Sequence, residues 1–569
     1  MIVLGINNMH DASAALMVDD RIVAAAEEER FVRRKHVKGL PVEAMRYCLR
    51  EAGLGLGDVD LVVAAWRPWV LGLRARLAAQ SLLRSPAVFR SKATRGMSQM
   101  GNEWKELFTL RRQLERHFGP GDYDVRYLEH HLAHAASAFL CSGFDEAAIL
   151  TVDGAGEEES TVFWQAGGRQ IRKLQSVRLP HSLGQLYSAT TAFLGFKVHH
   201  DEYKVMGLAA SGEPVYKDAL LERVLRLRKD GGFTVKPYFL DYHMARQGRF
   251  SREAIAMFGP PRAPGEEITR AHADVAASVQ AALEEALFHL LRHLHELTGL
   301  RRLGLAGGVA LNCSANGKIF THTPFEEVWV QPAAGDNGTA LGACLYWVNA
   351  EAGRRITGTL ENAYLGPSFS TEECAAALDA QGLAYERLPS EQVPEHTAGL
   401  LADGNVIGWF QGRMEWGPRA LGARSLIADP RRADMKEKIN RVIKKREPFR
   451  PFAPSVLEDR AAEFIAGYQP SPFMLYTFPV KEERKADVPA IVHTDGTARP
   501  QGVTEQASPR YYRLIKAFEQ RTGIPMILNT SFNIQEPVVC TPQDAIRTFL
   551  DSEMDYLVIE DLVVPRPAD

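Results

Sequence analysis

The sequence predicts a mixed α/β protein in which a two-lobed nucleotide-binding domain precedes a second α/β domain. Three observations predict it. A strand, corner, strand, turn, strand pattern occurs twice in the first half of the chain, and a glycine pair sits at a later strand-to-helix junction. The composition then changes near Pro367 and gives way to a dense basic stretch.

The first copy of the pattern is IVLGIN (2–7), the polar corner Asn8–Asp11, the run ASAALMV, the turn at Asp19 and Asp20, and the run RIVAAAEE. The second is AAILTV (147–152), the corner Asp153–Gly156, STVFWQ (160–165), the turn 166–168 and QIRKLQSV. Hairpins with Asp/Gly corners place backbone amides against phosphates in two-lobed nucleotide-binding folds, and they also serve as plain turns. Between the copies, LEHHLAHAASAFL (128–140) sets His130 and His134 four positions apart, so that a helix aims both imidazoles at one point as half of a divalent-metal site. His131 points elsewhere, and Ala133, Ala135, Ala136 and Ser137 allow the helix to approach its surroundings closely. The run SLGQLYSATTAFLGF (182–196) has the spacing of a buried amphipathic helix.

In LGLAGGVALNCSANGKI (303–319), Gly307 and Gly308 end a strand and open a helical segment containing Asn312, an arrangement that brings backbone flush with a base or ribose. Asp336 follows in a glycine-flanked loop before a small-residue helix, as a ligand or a cap. The domain boundary falls within about ten residues of Pro367, where Ser370 and Glu373 are spaced as a capping box. From Arg413 to Arg450 there are twelve Lys/Arg against five Asp/Glu, interleaved with Gly, Pro and apolar residues. That interleaving suits arginines folded around a bound anion better than one solvated helix face. Arg499, Asn529, Ser531 and Asn533 supply further hydrogen-bonding groups.

Composition narrows the function classes. The chain has 569 residues, 46% hydrophobic and 24% charged, with a formal net charge of −3, which offers no overall attraction for nucleic acid or an anionic membrane. Six scattered cysteines without a C-x-x-C pair exclude a zinc-finger pattern and match a cytoplasmic protein. The N-terminus lacks a signal-peptide pattern, and no apolar run approaches the 18 residues of a membrane span.

Taken together, MGLAA (206–210), HHLAHAASA, AGGVALN, GRMEWGPRALGARS, KREPFRPFAPS and LNTSFN resemble the NodU/CmcH O-carbamoyltransferases over nearly the whole chain. The resemblance implies an actin-like ATPase (Kae1-like) two-lobed domain over residues 1–360 and a YrdC-like α/β domain over 361–569. It implies that the second domain makes carbamoyl-adenylate from carbamoyl phosphate and ATP, with Mg²⁺ accompanying the nucleotide. Arg419, Arg424, Lys444, Arg446, Arg450 and Arg499 would then neutralise phosphates, while Asn529 and Ser531 hold the carbamoyl amide. The first domain would transfer the carbamoyl group to a hydroxyl of a small-molecule acceptor. There a metal, iron(II) in the family, is held by His130, His134, Asp153 and Asp336; Lys204, Gly307, Gly308, Asn312 and Asp336 lie along the adenylate, and His10 is the base. The stretch between about Arg67 and Asp124 departs most from the family and is expected to choose the acceptor, with Trp66, Trp69 and Phe89 lining a cleft or anchoring the core. A threonylcarbamoyl-transferring tRNA enzyme would call for a basic face, hydrogenase maturation for cysteine zinc fingers, and a non-catalytic actin-like ATPase leaves the arginines unexplained.

Overall fold

A computed structural model describes residues 1–70, 72–73, 76–77, 107–236, 238–351 and 359–567. Phe89, expected at the acceptor cleft, lies outside the described residues. The chain divides into two compact units, Met1–Glu28 with His36–Leu360, and Glu29–Lys35 with Glu361–Asp569.

The first unit is built on two sheets of the same design. β1 (Ile2–Asn7), β2 (Ser13–Val18) and β3 (Arg21–Glu27) form an antiparallel meander, and β4 (Leu61–Ala64) and β5 (Asp124–Tyr127) extend it in parallel from β1, giving the order 3-2-1-4-5. The second sheet repeats that order. β6 (Glu146–Val152), β7 (Glu159–Gly167) and β8 (Gln170–Arg178) are the meander; β9 (Leu225–Leu227) and β10 (Phe233–Val235) form a separate ribbon; β11 (Arg302–Ala306) and β12 (Glu327–Val330) run parallel beyond β6. This duplicated sheet is the two-lobed actin-like architecture. β1 and β6 are apolar on both faces because each is sandwiched between layers, which is why neither sequence alternates.

The two halves exchange helices. The His130–Leu140 helix, which follows β5, packs on β6 and β11, whereas the Gly338–Glu351 helix, which follows β12, packs on β1 and β2. The two helices meet at Gly342, where a Cβ would lie 1.9 Å from the Ala133 carbonyl oxygen, so only glycine permits the approach.

The second unit is a mixed α/β layer. Its eight-stranded sheet comprises β13 (Glu386–Arg387), β14 (Ile407–Phe410), β15 (Arg424–Ala428), β16 (Ala453–Leu457), β19 (Gln501–Val503), β20 (Met526–Ser531), β21 (Tyr556–Ile559) and β22 (Leu562–Pro565) in the order 13-22-21-14-15-20-16-19. β17 (Phe478–Pro479) and β18 (Thr497–Ala498) pair by themselves. Ser370 and Glu373 form the capping box read from the sequence, the Ser370 hydroxyl accepting from the Glu373 N–H and the Glu373 carboxylate accepting in return from the Ser370 N–H. All six cysteines are buried. Among the described residues no helix is long and apolar enough to cross a membrane.

Candidate functional site

His130 and His134 project from the exchanged helix and are fully buried. Asp153 comes from the corner after β6 and Asp336 from the loop after β12. The two Nε2 atoms are 3.2 Å apart; His130 Nε2 lies 3.2 Å from Asp153 Oδ2 and 3.6 Å from Asp336 Oδ1, and the His134 distances are 3.8 and 3.9 Å. All four ligand atoms lie within 4.8 Å of one another. Metal–ligand bonds of about 2.1 Å put neighbouring donors of a tetrahedral or octahedral ion about 3.0–3.4 Å apart, so the cluster fits one divalent ion with little contraction. Two imidazoles and two carboxylates are a donor set for a first-row metal.

The charges in the cluster argue the same way. Burial opposes a charge on His130, but the Asp153 hydrogen bond and the Asp336, Asp153 and Glu157 carboxylates outweigh it and hold the pKa at about 9. Burial also opposes ionisation of Asp153, yet the two imidazoles keep it well below the usual carboxylate range. Asp336 is driven well above that range, first by burial and then by Asp153. The buried Asp153 and the partly buried Asp336 thus share one imidazolium, and a divalent ion in its place would supply more positive charge to both. His131 is neutral by contrast: burial, then the charges of its neighbours, lower its pKa to about 3. It donates from Nε2 to the Glu159 carbonyl 3.1 Å away, and Thr151 Oγ1 lies 2.9 Å from Nδ1, so it is a core residue.

The surrounding backbone supports the ligands. Gly307, at φ 97°, lies where a Cβ would be 2.2 Å from the Val152 carbonyl oxygen, and the Gly308 N–H donates to Asp153 Oδ1 at 3.0 Å. Gly307 thus seats the strand end against β6, and Gly308 holds Asp153. Asn312 is engaged within the fold: its side chain caps the Cys313–His322 helix and exchanges hydrogen bonds with Gln280. Lys204 Nζ is 3.2 Å from Asp201 Oδ1 and lies over the Phe196 ring. Glu157, which sequence reasoning missed, is buried and accepts from the His130 N–H and from Arg67. Its carboxylate sits at the positive end of the metal helix.

His10 lies in the corner after β1, where the Asn7 amide donates to the carbonyls of His10 and Asp11. Burial, followed by the charges of His199, Lys38, His36 and Arg246, lowers its pKa well below that of free histidine, leaving a neutral imidazole. Trp66 is buried against His130, while Trp69 is exposed against Tyr127. Trp66 is therefore an anchor of the site.

In the second unit, the fully buried Lys444 donates to the Ser531 carbonyl, to Ser531 Oγ at 3.2 Å and to Asn533 Oδ1 at 2.8 Å. Burial, then Arg446 and Arg450, push its pKa well below that of free lysine, with Lys35 adding to the effect. Arg446 donates to Asn440 Oδ1 and lies over Phe452. Asn529 donates to Ala420 O, Ser455 Oγ and Gln501 Oε1 beside this centre. Arg419 and Arg499 are half-buried on flanking loops, and the charge of Arg499 reaches His493.

Arg424 departs from the expected phosphate contact. It is completely buried over the Phe410 ring, and its terminal nitrogens donate to the carbonyls of Gln411, Ala423, Pro367 and Gly412 at 2.9–3.0 Å. It ties the loop before β15 to β14 instead of facing a ligand. Arg424→Met is accordingly expected to destabilise the second unit by about 3 kcal/mol or more, because buried carbonyls lose their donors. Urea denaturation checks this; an unchanged midpoint with weaker carbamoyl phosphate binding would return Arg424 to the ligand.

Lys35 is the residue the sequence concealed. Glu29–Lys35 belongs to the second unit: Phe31 packs on Met414, Val538 and Cys540, Arg30 donates to Gly417 O, and Arg33 donates to the carbonyls of Pro537 and Val538 and pairs with Asp544. Lys35 is lowered by burial and, against Glu29, by Arg30 and Arg450. The cationic run RFVRRKHVK carried the only signal, and its distance in sequence from Arg450 hid its destination.

The first unit thus carries four side chains that could hold one metal ion, and the second a buried cationic centre. Residues 2–345 match the carbamoyltransferase N-terminus family and residues 398–566 the carbamoyltransferase C-terminus family, so the chain belongs to the carbamoyltransferases. It is 40% identical to nodulation protein NolNO of Sinorhizobium fredii over 98% of this chain and 79% of that one, and 43% identical to nodulation protein NolO of Bradyrhizobium diazoefficiens over 78% and 79%. Among solved structures, HypF of T. kodakarensis aligns with 62% of this chain and 48% of its own, at 15% identity and a TM-score of 0.32.

Proposed function

We propose that the enzyme makes carbamoyl-adenylate from carbamoyl phosphate and ATP in its C-terminal unit and transfers the carbamoyl group to a hydroxyl of a small-molecule acceptor in its N-terminal unit. The observation that carries this reading is Lys444: a fully buried lysine, crowded by Arg446 and Arg450 more than Glu536 offsets and hydrogen-bonded to the neutral oxygens of Ser531 and Asn533, calls for an anion. Water cleaves carbamoyl phosphate to carbamate and phosphate, a carbamate oxygen attacks the α-phosphorus of ATP, and pyrophosphate leaves. Lys444, Arg446, Arg450 and Lys35 offset the charge of the phosphates, with Arg419 and Arg499 at the margins and Mg²⁺ accompanying ATP. Ser531 and Asn529 flank the carbamoyl group.

In transfer, the acceptor oxygen bonds to the carbamoyl carbon, the bond from that carbon to the AMP oxygen breaks, and the hydroxyl proton goes to His10. His130, His134, Asp153 and Asp336 would hold a first-row divalent ion, iron(II) in keeping with the family, which supplies Lewis acidity toward the adenylate phosphate. Lys204 adds positive charge on the same side, and the backbone at Gly307 and Gly308 lets the adenylate approach.

Incubation with ATP, carbamoyl phosphate and a panel of hydroxylated small molecules is expected to yield pyrophosphate, AMP and an acceptor heavier by about 43 Da, a carbamoyl group less one hydrogen. Mass spectrometry reads the products. Absence of pyrophosphate with active metal-loaded protein would overturn the adenylate reading.

A further inference from the structure

His10 is backed by a second histidine that the family motifs did not bring forward. Its ring lies 4.3 Å from that of His199, centroid to centroid and tilted by 37°. His199 is itself fixed from two directions. Its backbone sits in the left-handed region, φ 59°, where its N–H donates to Glu202 Oε1 at 2.8 Å, and that carboxylate also accepts from the Ser188 hydroxyl at 2.7 Å. At the other end, Nε2 is hydrogen-bonded to the Tyr242 hydroxyl, which also accepts from Arg246 at 3.2 Å. Asp11 and His36, hydrogen-bonded to each other at 2.7 Å, are likewise held at positive φ, 52° and 54°. Several non-glycine residues in this backbone region around one imidazole form a strained cluster of the kind stored at functional sites.

An imidazole on a loop rotates about two bonds unless something holds its face. A flat ring pinned at both backbone and Nε2 is suited to that task, and the Tyr242 hydroxyl reaches His199 from a short helix, Tyr242–Ala245, capped by Asp241. We infer that His199 and Tyr242 are positioning residues for His10, holding its ring in the orientation that receives the acceptor proton. This rests on His10 being the base, and the test separates the two claims.

The experiment is a double-mutant cycle on the metal-loaded full-length enzyme, with single-turnover carbamoyl transfer as the readout. The variants are His10→Ala, His199→Ala, Tyr242→Phe and the His10 combinations with each. His10→Ala and His199→Ala are expected to slow transfer by about 100-fold and 10-fold respectively. Tyr242→Phe, which removes one hydroxyl and spares the fold, is expected to slow it about threefold, within the coupling range of contacting residues. If His199 and Tyr242 act through His10, neither substitution slows transfer further in the His10→Ala background. Full additivity would overturn the positioning role while leaving His10 as base; unimpaired transfer by His10→Ala alone would overturn the base assignment. Should His199→Ala melt early, the Tyr242→Phe cycle decides by the same criterion.

Discussion

Replacing His134 with Ala is expected to remove the bound divalent ion and stop carbamoyl transfer while pyrophosphate release continues. The side chain is one of four converging groups that could hold the ion, so its loss leaves His130 and two carboxylates. Losing a supporting contact to a metal ligand costs about 10–100-fold in affinity, and losing the ligand itself is expected to cost more than 100-fold. Metal content after dialysis and single-turnover transfer are the two measurements, with a thermal melt to confirm the fold. Retention of both metal and transfer would place the ion elsewhere.

The second large effect is expected from Arg450→Ala, which should reduce pyrophosphate release from ATP and carbamoyl phosphate by about 100-fold or more, the scale seen when a preorganised electrostatic donor is removed. The Arg450 side chain is partly exposed, 4.0 Å from Glu447, whereas Arg424 is fully buried and donates to backbone carbonyls. Its positive charge acts on both Lys444 and Lys35. Undiminished pyrophosphate release would remove the cationic centre from the adenylate-forming step.

What the sequence disclosed follows from how local each feature is. The two hairpin copies were legible because strand and turn patterns span a few residues, and the largest departure is β7, which runs two residues further than expected, to Gly167. The His130/His134 pair was legible because helix periodicity alone places both rings on one face. Asp153 and Asp336 were reachable through the family motif, yet their approach to His130 depends on β6 and β12 lying on either side of β11, which no local pattern encodes. Arg424 shows the opposite limit: a buried arginine spent on backbone carbonyls has the same one-letter signature as one facing phosphate. Lys35, His199 and Tyr242 stayed hidden because their partners lie far away in sequence or on a short helix without periodicity.

The seven-residue excursion Glu29–Lys35 changes what a domain boundary means in this chain. A cut at residue 360 would not release two self-sufficient halves: the downstream piece would lack Phe31, baring an apolar face formed by Met414, Val538 and Cys540, and would lack Arg33 as the partner of Asp544. The polypeptide is stitched, not merely joined end to end. Recombination that shuffled the rear module among relatives would therefore have to carry a matching patch of the front one, which ties the inheritance of the two modules together.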